Sequence, residues 1–168
     1  LTVSAPSWKK WDAPILVLGA GGAARAIVYG FLKEGAERVL VANRSLERAT
    51  GLCRYFGAKV QPVAWENRNE AAGDAGVIVN TTTLGMKGVG DPEIDFASAR
   101  PGAVACDIVY VPLETSFLKS ARAHGLIGVD GLGMLLHQAV PGFEKWFGVR
   151  PQVTPELRAL IIADIEGH

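Results

Sequence analysis

Four consecutive apolar residues, Ile15-Leu16-Val17-Leu18, run directly into Gly19-Ala20-Gly21-Gly22-Ala23-Ala24, and a helical pattern begins at once. A strand with one wet face alternates apolar and polar residues. This one does not, so it must be covered on both faces. Strands of that kind lie in parallel sheets, and successive parallel strands need a crossover, usually a helix. The segment after Gly22 supplies it. Ala23, Ile27 and Phe31 share a stripe, Val28 and Leu32 lie beside it, and Gly35 provides the stop.

The unit then repeats. Residues 38–42 read as a second strand, and Ser45 caps a helix that runs to about Phe56 and ends at Gly57. Residues 59–63 read as a third strand, which Pro62 assigns to a sheet edge because proline cannot donate to a ladder. Further strands are expected at 77–80, 103–110 and 126–130. Thr115 caps a helix that stops at Gly125. The helix after Gly131 carries Pro141, which is expected to kink it, and Thr154-Pro155 opens a last helix. The expected fold is α/β, a Rossmann-like doubly wound parallel sheet in the order 3-2-1-4-5-6.

Composition excludes several classes. With 168 residues, 49% hydrophobic and 20% charged, the chain is long enough for one domain with a sizeable core. Zero formal net charge argues against a nucleic-acid or membrane partner held by charge, and no apolar run is long enough to span a bilayer. Cys53 and Cys106 lie far apart in apolar runs and read as buried thiols, and no Cys/His spacing suits a metal. With no signal-peptide pattern at Leu1, the expected location is cytoplasmic. A start at Leu1 rather than Met leads to the expectation that residues 1–13 are a linker remnant of something longer.

The first turn carries chemistry. A glycine at 19 permits a tight turn, Gly21 lets the backbone approach a pyrophosphate, and Ala24 keeps the helix close to the sheet. N–H groups at the helix start then face the anion. In such loops an acid usually ends the second strand and bonds a ribose 2′-hydroxyl. Here that position reads Asn43-Arg44-Ser45, with Arg48 one helical turn beyond Arg44. Two arginines at a helix N-terminus oppose the macrodipole and call for a compensating anion. The 2′-phosphate of NADP fits that requirement.

Three further stretches, "NTTTLGM" (80–86), "DIVYVPLETSFL" (107–118) and "DGLGMLLHQA" (130–139), join "GAGGAARA" and "NRSLERA" in an order that resembles the NADP-binding domain of shikimate dehydrogenases. Those enzymes reduce 3-dehydroshikimate to shikimate in aromatic amino-acid biosynthesis. The resemblance implies a pyrophosphate loop at Gly19, Ala20, Gly21, Gly22 and Ala23, and a 2′-phosphate loop at Asn43, Arg44, Ser45 and Arg48. It implies cofactor contacts at Thr81 and Thr82, nicotinamide neighbours at Ile108, Gly131 and Met134, and substrate contacts at Tyr110 and Gln138. It departs at Ser116, where many relatives carry proline.

The resemblance also implies a two-domain enzyme. Residues 14–150 would be the cofactor domain, and residues 151–168 a helix packing on an N-terminal substrate domain that is absent here. That domain would supply the catalytic lysine and aspartate, so this chain would hold no catalytic residue. The expected partners are the cofactor, shikimate or 3-dehydroshikimate, and another copy in a homo-oligomer. A quinate/shikimate dehydrogenase fragment or a stand-alone non-catalytic NADP module are the alternatives. His137, read as a structural histidine, Lys87, read as a surface lysine, and the Gly88-Val89-Gly90 turn are set aside. His124 suits a helix end and His168 is terminal. The last helix is expected to expose a stripe of Leu157, Leu160, Ile161 and Ile165.

Overall fold

The computed structural model describes Ala5, Trp8 and residues 12–167. Its strands are β1 (Ile15–Leu18), β2 (Val39–Asn43), β3 (Val60–Ala64), β4 (Val77–Asn80), β5 (Val104–Asp107) and β6 (Ile127–Val129). They form one parallel sheet in the order β3-β2-β1-β4-β5-β6. The helices are α1 (Gly22–Lys33), α2 (Leu46–Phe56), α3 (Arg68–Asp74), α4 (Ser116–Ala123), α5 (Leu132–Phe147) and α6 (Pro155–Glu166).

Period two sorts the strand residues into two cores. Ile15, Val17, Val39, Val41, Val77, Val79 and Val104 pack on one face with Val28 and Phe31 of α1 and Leu52 and Cys53 of α2. Leu16, Leu18, Ile78 and Ala105 pack on the other with Ala72 of α3 and Phe117, Leu118 and Ala121 of α4. Leu16 and Leu18 are wholly buried, and each such side chain contributes roughly 1.5–3 kcal/mol relative to exposure. Both faces being covered explains why the strand runs do not alternate.

The caps stand where the sequence places them. Ser45, Thr115 and Thr154 accept from the backbone N–H of Arg48, Leu118 and Leu157. β3 is an edge strand, with Pro62 exposed. Of the stretch read as linker, Ala5 and Trp8 are described and both are buried, Trp8 edge-on to Phe31 with ring centroids 5.2 Å apart.

Three expectations change. The fifth strand ends at Asp107 rather than 110, because the Asp107 side chain accepts from the Val109 N–H and turns the chain. A helix not expected, α3, fills the crossover between β3 and β4 after a short 3-10 turn at Trp65–Asn67. Its sequence RNEAAGD has little apolar periodicity and no side-chain cap, and Arg68 anchors it instead, donating to the carbonyls of Trp65, Pro92 and Glu93. α5 is one helix with Pro141 inside it, where the sequence places it. Pro141 is exposed, so water can serve the carbonyl that its missing N–H abandons. Finally, α6 has no buried residue: Leu157 and Leu160 are exposed, as expected, while Ile161 and Ile165 are half-buried.

Because α6 adds no buried side chain, removing residues 154–168 should leave a cooperative unfolding transition within about 5 °C of the parent chain. Thermal unfolding followed by circular dichroism checks this. Loss of cooperativity would assign α6 to the core.

Candidate functional site

β1 pairs with β2 on one side and β4 on the other, so the sheet reverses its order between β1 and β4. A doubly wound sheet leaves a crevice outside the carboxyl ends of its strands at such a point. Every residue group marked by the sequence sits at this edge or just beyond it: 19–24 after β1, 43–48 after β2, 81–82 after β4, 108–110 after β5 and 130–134 after β6.

The turn after β1 is held tightly on one side and open on the other. Gly19 has φ +105°, and a Cβ there would lie 2.8 Å from Thr81 Oγ1 and 3.1 Å from Thr82 Cγ2. Its N–H donates to the Ala42 carbonyl at 2.7 Å. Gly21 and Gly22 have nothing within 4 Å of an added Cβ. α1 starts there with no side-chain cap and no acid in its first turn. Its first N–H groups therefore face an open cradle, which suits the oxygens of a pyrophosphate.

The turn after β2 carries the positive charge. Asn43 Nδ2 donates to the Ser45 carbonyl at 2.9 Å and braces the turn. The Ser45 hydroxyl accepts from the Arg48 N–H and keeps its own proton to donate. Arg44 and Arg48 are exposed, and neither guanidinium has an ion-pair partner among the described residues. With α1 uncapped beside them, the carboxyl edge here has donors and two cations; Glu47, the acid in the first turn of α2, forms no ion pair with either arginine among the described residues.

Behind this edge lies a buried polar cluster. Asn80 and Asp107 end adjacent strands in register, and both are wholly buried. Asn80 Nδ2 donates to Asp107 Oδ1 at 3.0 Å and to the Leu84 carbonyl at 2.8 Å. Asn80 Oδ1 accepts from the Thr82 hydroxyl at 2.7 Å and the Thr82 N–H at 3.1 Å. Asp107 Oδ1 also accepts from Val109 N–H at 3.0 Å, and Oδ2 from the Thr115 hydroxyl at 2.7 Å. Burial pushes the Asp107 carboxyl above the usual carboxylate range, and the bonds from Val109, Thr115 and Asn80 only partly offset it. Neither Asn80 nor Asp107 is among the site residues expected from the sequence. The available signal was a polar residue closing each of two otherwise apolar strand runs.

The cluster changes how Thr81 and Thr82 are seen. Thr81 is buried with its hydroxyl donating to the Leu18 carbonyl at 2.6 Å, and the Thr82 hydroxyl is engaged by Asn80. Both hydroxyl protons are used inside the chain. What these residues present to the crevice is backbone and methyl surface.

On the far side, Gly131 touches backbone. A Cβ there would lie 2.3 Å from the Ile108 carbonyl oxygen and 2.7 Å from that of Val109. Ile108 and Met134 are half-buried beside this contact, and Tyr110 and Gln138 are exposed. His137 is exposed on α5, not packed as expected, and Lys87 is exposed in a loop where Gly88 and Gly90 have positive φ. His124 Nδ1 lies 2.9 Å from the Ser120 carbonyl at the end of α4. His168 lies outside the described residues. Burial pushes the thiols of Cys53 and Cys106 up to about 11 and about 12, so neither is a nucleophile near neutrality. A cavity of about 600 Å³ lies at the opposite end of the sheet, against Ile15, Arg38 and Val77, and holds none of these groups. No helix among the described residues is long and apolar enough to cross a membrane.

The sheet order, the glycine turn and the edge together define a Rossmann-type domain. Comparison with known proteins narrows the class. The model of the shikimate / quinate 5-dehydrogenase family matches residues 5–108, and that of the shikimate 5′-dehydrogenase C-terminal domain matches residues 131–160. The chain belongs to the shikimate / quinate dehydrogenase family.

Its relatives include the NADP(+) shikimate dehydrogenase of Azorhizobium caulinodans, 54% identical over 98% of this chain and 59% of the relative. The enzyme of the same name from Brucella abortus strain S19 is 55% identical over 98% of this chain and 58% of its own length. Among solved structures, shikimate 5-dehydrogenase from Thermus thermophilus in complex with NADP(H) and shikimate superposes with a TM-score of 0.75 at 33% identity, over 96% of this chain and 62% of that one. Quinate dehydrogenase from Corynebacterium glutamicum in complex with NAD gives 0.84 at 28% identity, over 96% and 58%. The chain thus spans about three-fifths of the length of these relatives.

The raised Asp107 carboxyl has a signed consequence. The folded chain keeps this proton to higher pH than the unfolded chain does. The stabilisation is complete below the usual carboxylate value of 3.8 and is lost as pH rises through the raised folded value. Asp107→Asn cannot titrate. Its stability deficit relative to the parent should therefore be larger at the acid end of that window and shrink toward neutral pH. Urea unfolding of both chains between about pH 4 and 7 measures it; a deficit that grows with pH would contradict the buried, desolvated carboxyl.

Proposed function

We propose that this chain is the NADP-binding part of a shikimate dehydrogenase, an oxidoreductase that interconverts 3-dehydroshikimate and shikimate. One observation carries the choice of cofactor: Arg44 and Arg48 are exposed, without ion-pair partners among the described residues, and stand beside an uncapped glycine turn. An anion on the ribose is what this arrangement lacks. A 2′-phosphate supplies it, and a bare 2′-hydroxyl does not.

In this reading Gly19, Ala20, Gly21, Gly22 and Ala23 bind the pyrophosphate. Asn43, Arg44, Ser45 and Arg48 bind the 2′-phosphate. Thr81 and Thr82 line the middle of the crevice, and Ile108, Gly131 and Met134 flank the nicotinamide. Tyr110 and Gln138, both exposed, reach the substrate's hydroxyls. When bound, the cofactor supplies or accepts the hydride. The residues of this chain bind it, orient it and keep water from one of its faces.

Proton transfer is not assigned to any side chain on this edge. Asp107 is sealed in its cluster, and Lys87 and His137 are exposed surface groups with no hydrogen bond into the crevice among the described residues. We assign the acid/base pair to the remainder of the enzyme, the lysine and aspartate that the family resemblance implies. Exposed apolar residues support a packing partner of that kind: Phe143, Trp146 and Phe147 on α5, with Trp146 80% exposed, and Leu160 on α6. Residues 14–150 then form the cofactor domain, and α6 packs against the substrate domain. A second reading, quinate as substrate, is kept because a quinate dehydrogenase is among the solved structures that superpose on this chain; the ratio of rates on the two acids by the full-length enzyme separates them.

Two outcomes are expected. NADPH binds this chain more tightly than NADH, and Arg44→Ala weakens NADPH about tenfold to a hundredfold, the worth of a charge-assisted hydrogen bond. Calorimetric titration checks it, and equal affinities of the parent chain for both cofactors would refute the 2′-phosphate pocket. The chain alone should not turn over shikimate with NADP, for want of a general base. Absorbance at saturating shikimate, with and without the separately expressed substrate domain, tests this, and clear turnover by the chain alone would return attention to Lys87 and His137.

A further inference from the structure

Asp130 follows β6 directly and precedes Gly131. Its two carboxylate oxygens have separate duties. Oδ1 accepts from the Leu132 N–H at 3.1 Å, at the first turn of α5. Oδ2 accepts from Arg158 Nη2 at 2.6 Å, from α6, a separation of 28 positions. The pair is partly sheltered, with side-chain exposures of 35% for Arg158 and 24% for Asp130. Between Asp130 and Leu132 sits Gly131, where an added Cβ would collide with the carbonyls of Ile108 and Val109.

From this geometry we infer that Arg158 is a positioning residue for the nicotinamide side of the crevice and acts through Asp130. The inference rests on the cofactor reading given above. The Gly131 turn has no side chain of its own to hold it. Its placement depends on the backbone contact with Ile108 and on the Asp130 carboxylate that ties the start of α5. A carboxylate with one partner can rotate about its side-chain torsions; a second, charge-assisted bond from Arg158 removes that freedom. This bridge ties α6 directly to the residue that opens the turn between β6 and α5. The adenosine side of the crevice, at 43–48, follows β2, four places from β6 in the strand order, and does not share the linkage.

The experiment uses the whole chain, two ligands and an exchange measurement. 2′,5′-ADP probes the adenosine side alone, and NADPH probes both sides. Arg158→Ala should weaken NADPH about threefold, as expected of a partly exposed ion pair, while 2′,5′-ADP affinity stays at the parent value. In the ligand-free chain, amide hydrogen exchange at Leu132 should speed up and exchange in β1 and β4 should not. Arg158→Lys, which keeps the charge, should recover most of both effects. Equal weakening of both ligands, or unchanged NADPH affinity with unchanged Leu132 exchange, would overturn the inference. If the parent chain binds neither ligand while Leu132 exchange still responds to Arg158→Ala, the cofactor reading falls and the linkage through Asp130 stands.

Discussion

The structure depends on β1 being covered on both faces and hydrogen-bonded on both edges. Ile15 and Val17 enter one core, Leu16 and Leu18 the other, and β2 and β4 take the two edges. Nothing about such a strand can shift by one residue without exchanging the contents of the two cores. Its carboxyl end is therefore a fixed point. The Leu18 carbonyl receives both the Thr81 N–H at 2.9 Å and its hydroxyl at 2.6 Å, and the Ala42 carbonyl receives the Gly19 N–H. The glycine turn is placed by these bonds before any ligand is considered.

The second constraint is electrostatic. A wholly buried aspartate is costly unless its oxygens are satisfied. Asp107 is satisfied by Asn80, Val109 and Thr115, which belong to three different segments of the crevice wall. The same carboxylate thus sets the end of β5, the turn after β4 and the cap of α4. Ile108 and Tyr110 leave the sheet in a defined direction because Asp107 ends the strand. The walls of the crevice are organised from behind, by groups that need never touch a ligand.

Much of this was legible in the sequence, and the reasons for the rest are physical. β1 and β4 have the bounds that unbroken apolar runs mark, and the three hydroxyl caps stand where Ser45, Thr115 and Thr154 put them. The glycine turn was readable because Gly19 must take a positive φ. α3 was not, since it is held by Arg68 reaching across to Pro92 and Glu93, a contact with no local signature. The roles of Asn80 and Asp107 were hidden because their partners lie up to 27 positions away. The demand for glycine at 131 comes from the approach of the Ile108 backbone, which only the folded chain reveals. His137 illustrates the converse: beside Gln138 it looked structural, yet it faces solvent.

The central claim is that one edge of the sheet, and not another surface, holds a phosphorylated dinucleotide. Titration of isotope-labelled chain with NADP, followed by amide chemical shifts, addresses it residue by residue. The account predicts shifts at Gly21, Gly22, Ala23, Arg44, Ser45, Arg48, Thr82, Ile108 and Gly131, with Ile15, Arg38 and Val77 at the opposite end of the sheet unmoved. Shifts confined to that opposite end, or absent at Arg44 and Arg48 under saturating NADP, would contradict it.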